Sequence, residues 1–112
     1  INKKLLKDTI NGVVDNQNQI DSVIKNNLSS NWRFNRLDKI LKAILRAAVY
    51  EISYKLITPS KVIINEYIDI THSFYSQKEP EFVNAILDKI AIVERESDGW
   101  KAYHKKIFRA SG

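Results

Sequence analysis

The amino-acid sequence predicts an all-α fold, one helical bundle with no sheet. Three observations point there. Apolar residues recur at helical spacing in every long stretch, and both prolines fall where a helix would start. No segment sustains the apolar–polar alternation of a half-buried strand.

From Asn2 to Leu28 the residues Leu6, Ile10, Val13, Ile20, Val23, Ile24 and Leu28 follow helical spacing. Gly12 and the polar run Asp15 to Gln19 form a weak stretch, so one long helix or two stacked helices fit. Ser29-Ser30-Asn31 breaks the pattern, and Trp32 and Phe34 bring bulky groups to a connecting turn, where they are expected to plug the edge of the core. Asn35 is expected to cap the next helix, with Asp38 three residues on beside its positive end. There Leu37, Ile40, Leu41, Ile44, Leu45, Ala48, Val49 and Ile52 make an apolar face too wide for a surface helix. This helix is therefore expected inside the bundle. Thr58-Pro59 signals another start, Thr as cap and Pro at the first helical position, with the helix running to about Phe74. Pro80 repeats the device before Val83, Ile86, Leu87 and Ile90.

A chain of 112 residues with 44% hydrophobic content fits one domain and one core. That domain is placed at residues 1–99, with 100–112 as a basic tail. The chain begins at Ile1 and contains no methionine, so it is expected to be N-terminally incomplete. It has no cysteine and no run of roughly 18 apolar residues, which points to a cytoplasmic protein without a membrane anchor. The net charge of +5 is concentrated at the end, because Lys101, Lys105, Lys106 and Arg109 follow Trp100 without an offsetting acid. Before Trp100, 14 basic residues face 13 acidic ones. Only a local patch in this near-neutral body can hold phosphate.

Catalysis is not expected. There is no thiol nucleophile, the only imidazoles are His72 and His104, and with 3 glycines no glycine-rich phosphate loop can be built. Glu66, Asp69 and His72 share one side of a helix, but without a second ligating helix they read as ordinary polar surface, so neither metal nor cofactor is expected. Asn84 and Asp88 lie on a different face from the apolar residues of the last helix, with Lys78 and Lys89 close in sequence. That face reads equally as a solvated surface or as an RNA site, in which Phe82 stacks on an unpaired base while the lysines hold phosphate.

Three blocks add a resemblance. They are Ala43-Ile44-Leu45-Arg46-Ala47-Ala48-Val49-Tyr50-Glu51-Ile52, Pro59-Ser60-Lys61-Val62-Ile63-Ile64-Asn65-Glu66, and Phe82-Val83-Asn84-Ala85-Ile86-Leu87-Asp88-Lys89-Ile90. In this order and spacing they resemble the NusB family of bacterial transcription antitermination factors, over roughly Leu5 to Val93. The resemblance implies a helical bundle of NusB type and a factor that binds boxA-type RNA of ribosomal RNA leader transcripts. It further implies the ribosomal protein NusE and the transcription elongation complex as partners, with a homodimer also open. Lys61 and Phe82 match positions the family uses near RNA; with Lys78 and Lys89 they make the expected RNA-binding set. Arg46 and Glu51 are expected to pair or cap, and Asn65 and Asn84 to be buried hydrogen-bonding groups. Tyr75 and Ala85 stand where the family usually has glycine, and the family's arginine-rich opening segment is not in this sequence. Two alternatives remain: an RNA-binding domain of a ribosomal RNA cytosine methyltransferase, and a module that binds only protein.

Overall fold

The computed structural model describes residues 3–95, and the tail assigned to 100–112 lies outside them. Five α-helices follow one another: α1 (Lys3–Asp15), α2 (Gln17–Asn27), α3 (Lys39–Tyr54), α4 (Ser60–Phe74) and α5 (Glu79–Arg95). A short 3-10 turn, Phe34–Arg36, lies between α2 and α3, and no strand occurs among the described residues. The weak stretch at Asp15 to Gln19 is where the first helical region divides. Asn16 leaves helical geometry there, and its side-chain amide donates to the Gly12 carbonyl at 2.8 Å.

Helix α3 packs against all four of the other helices. Its Leu45, Ala48, Val49 and Ile52 are fully buried, as the width of its apolar face requires. Around them close Ile20 and Ile24 from α2, Ile63 from α4, and Val83, Leu87 and Ile90 from α5. Each such aliphatic side chain contributes about 1.5 to 3 kcal/mol through removal from water. Helix α1 approaches α3 where Gly12 has no side chain, and a Cβ there would run into the Tyr50 ring.

Three helix starts differ from the sequence expectation. Asp38, not Asn35, caps α3, its carboxylate accepting the Leu41 amide at 2.9 Å. Asn35 sits within the 3-10 turn, because Leu37 must first turn inward to be buried. Thr58 does not cap α4: Pro59 holds the cap position without a side-chain bond, and the Thr58 carbonyl serves α5 instead. Pro80 is the second residue of α5, one place later than expected.

Leu6, Ile10, Val14, Ile40, Ile70 and Phe74 remain exposed around a groove of about 720 Å³ between α1, α3 and α4. Among the described residues no helix is long and apolar enough to cross a membrane.

Candidate nucleic-acid interface

The start of α5 and the turn after α2 meet at an aromatic pair. The Trp32 ring stacks on Phe82 with centroids 4.0 Å apart and planes 23° from parallel, and the Lys78 ammonium sits 5.4 Å from the Trp32 centroid. Phe82 is drawn in because α5 is already committed by Val83, Ile86 and Leu87 to facing α3. Of the two readings left open for this face, stacking on a base needs a projecting Phe82 ring, but the residue is 8% exposed and one ring face is covered by indole. Trp32, expected only to plug the core edge, is the half-buried member of the pair and carries the cation. Beside it, Ser30, Asn31, Arg33, Arg36, Asp38 and Glu79 line a cleft of about 340 Å³.

The other expected lysines lie apart from this pair. Lys89 donates to the Asn27 carbonyl at 3.1 Å, bridging α5 to the end of α2. That carbonyl is one of the unpaired acceptors at a helix C-terminus, where a cation is favoured. Lys61 stands in the first turn of α4, in a cleft of about 570 Å³ shared with Ser60, Asn65, Asn84 and Asp88. Because α4 rises about 1.5 Å per residue, Lys61 and Lys78 lie near opposite ends of a helix about 20 Å long. Of the four residues only Lys78 and Phe82 meet, across Trp32, and Lys61 and Lys89 each stand apart.

Asn65 and Asn84 are exposed in this cleft, a correction to their expected burial; Ile63, Ile64 and Val83 take the inward positions beside them. Arg46 does pair: its guanidinium grips Asp21 through two hydrogen bonds of 2.8 and 2.9 Å, tying α3 to α2. Asp21 holds the Arg46 charge in place, raising its pKa above the ordinary arginine value. Tyr67 on α4 faces Glu51 on α3, and burial, then the Glu51 carboxylate, holds its hydroxyl above the ordinary phenol range. Tyr75, in the place of a family glycine, adopts extended backbone (φ −135°) and donates its hydroxyl to the capping carboxylate of Asp38. Among the described residues no group of three or more His, Cys, Asp or Glu is gathered to hold a metal, and Glu66, Asp69 and His72 are exposed.

A basic concentration escaped the sequence reading. Between Lys25 and Arg46 there are six basic residues and one acid, while the rest of the chain before Trp100 has eight basic and twelve acidic. Counting charge over the whole body hid this local excess.

The chain can be set beside known proteins on this geometry. The NusB family pattern matches residues 1–92. A transcription antitermination protein NusB of Brucella ovis is 45% identical over 95 residues, which is 84% of this chain and 56% of that protein. The corresponding protein of Brucella suis matches to the same extent, so the chain spans about half the length of these relatives. The solved structure of T. maritima NusB superposes with a TM-score of 0.72 at 35% identity, covering 80% of this chain and 65% of that one. Helix order, the three sequence blocks and these matches agree, and the chain belongs to the NusB family.

Proposed function

We propose that this chain is the helical body of a transcription antitermination factor, acting by binding and not by catalysis. Its ligand in this reading is boxA-type RNA of ribosomal RNA leaders, held jointly with the ribosomal protein NusE on the elongation complex. The observation that carries the reading is the match to antitermination proteins at 45% identity across all three blocks. The geometry supports it with two cationic positions at the ends of α4 and α5. Lys78 lies over an aromatic pair, and Lys61 stands in a polar cleft beside Asn84. Lys61, Lys78 and Lys89 supply phosphate contacts. Phe82 supports Trp32 from within, so that the indole and its lysine form a fixed edge.

With a body so near neutral, RNA affinity of the chain alone is expected to be weak and to rise when NusE is added. Binding is measured against boxA RNA and a scrambled RNA, with and without NusE. Equal affinity for both RNAs in the presence of NusE overturns the reading. In the joint complex Lys61→Ala is expected to weaken both RNAs alike and to lower the salt slope by about 1.

A further inference from the structure

We infer that the turn between α2 and α3 is a phosphate-binding surface for single-stranded RNA, formed by Lys25, Arg33, Arg36 and Lys42 around Phe34. The inference rests on the RNA-binding reading above and assigns that reading a second contact region, distinct from Lys61, Lys78 and Lys89.

Three cations converge on one ring. The ammonium groups of Lys25 and Lys42 lie 5.1 and 5.0 Å from the Phe34 centroid, and the Arg46 guanidinium 5.6 Å. Asp21 engages Arg46, but among the described residues neither Lys25 nor Lys42 has a carboxylate within ion-pair distance. Lys42 and Arg46 are also four residues apart on α3, a spacing at which like charges repel. With Arg46 engaged by Asp21, the ammonium groups of Lys25 and Lys42 are the ones left for an anion to meet.

The shape fits an extended anion. Arg33 and Arg36 are exposed and border two concave surfaces at once. One is the cleft beside Trp32; the other, of about 440 Å³, is lined by Lys25, Arg33, Phe34, Asn35 and Arg36. Phe34, at 9% exposed, is a floor that orients the lysines and not a platform for a base. Successive phosphates running over Arg33 and Arg36 to Lys25 and Lys42 would meet a cation at each step, while the acids Asp38 and Glu79 lie on the side of the Trp32 cleft. The chemistry favours RNA over an acidic protein segment. Protein interfaces need apolar anchors at their centre, and of the exposed large hydrophobic residues only Ile40 falls within residues 25–46. Ile40 lines the groove between α1, α3 and α4 instead.

The test uses the 112-residue chain, a boxA-containing single-stranded RNA, and backbone amide shifts recorded by NMR at low salt. Residues 25–42 are expected to shift. Replacing three cations together, Lys25→Gln, Arg33→Gln and Arg36→Gln, is expected to lower the slope of log affinity against log salt by about 2, at about 0.7 per phosphate contact on a single strand. The melting temperature checks that the variant folds, and the shift map on the unaltered chain stands independently of it. Shifts confined to the Lys61 cleft, with an unchanged slope, overturn this inference and leave RNA binding intact. Shifts at 25–42 caused by NusE and not by RNA also overturn it, making the surface a protein interface. No RNA-induced shift anywhere, with or without NusE, overturns both.

Discussion

Tyr67 and Tyr75 each place a phenol against a carboxylate, and both hydroxyls are held above the ordinary phenol range. For Tyr67 burial is the larger cause and the nearby Glu51 carboxylate the next, while Tyr75 is pushed up to about 12 by burial and then by Asp38. Asp38 shifts the opposite way, below its ordinary value of 3.8, through the Tyr75 hydroxyl and then the Leu41 amide. A phenol whose folded pKa is raised contributes stability that is complete below the unfolded value near 10 and is lost as pH rises beyond it. The chain is therefore expected to lose stability between pH 10 and 12. Tyr67→Phe removes the ionisable hydroxyl whose pKa is raised and should make the alkaline loss shallower, with little change at pH 7. Denaturant midpoints of both proteins at pH 7 and pH 11 decide it: parallel losses would show that Tyr67 does not carry the effect.

At the scale of elements, α5 differs most from its sequence reading. Its periodicity correctly placed Val83, Ile86, Leu87 and Ile90 inward, but the position of Phe82, at the edge of that face, depends on whether another element covers it. Trp32, fifty residues earlier in the chain, does so, and no local spacing reveals such a partner. Phe82→Ala is accordingly expected to cost about 3 to 5 kcal/mol of folding stability, through lost burial and the cavity beneath Trp32. Phe74→Ala, at a ring 58% exposed on the open groove, is expected to stay within about 0.5 kcal/mol. Thermal melts of the two variants test the contrast, and equal losses would mean that the Phe82 ring is not a core group in solution. The same limit explains the caps. Asn35 and Asp38 both have suitable side chains, and the choice was made by Leu37, which is buried and separates them. The Arg46–Asp21 clamp was half legible: a pairing role for Arg46 was expected, but its acid lies on another helix.

Across the whole molecule, charge and chain direction are organised around α3. Its flank toward α2 and the 3-10 turn carries the basic excess, while its C-terminal end is gripped by α5 through one buried residue. Arg95 is 6% exposed and lies beyond the family match. Its Nε donates to the Ile52 carbonyl at 2.8 Å, Nη1 to Thr58 at 2.6 Å and Nη2 to Lys55 at 3.0 Å. Burial opposes its charge, lowering its pKa from the arginine value, and among the described residues no carboxylate pairs with it. What offsets that cost is the C-terminus of α3, where unpaired carbonyls and the negative end of the helix dipole both favour a cation. The turn into α4 is thereby held by the last residue of α5. Arg95→Met keeps much of the apolar stem but removes every donor, leaving the carbonyls of Ile52, Lys55 and Thr58 without this partner. The relief of burying one charge is smaller than the loss of several charge-assisted bonds, so a net cost of about 1 to 3 kcal/mol is expected. Amide exchange should accelerate most at residues 55–63, the turn and first residues of α4, before it does in the centre of α3. An unchanged denaturant midpoint together with unchanged exchange at those amides would show that the α3–α4 turn holds its shape without α5.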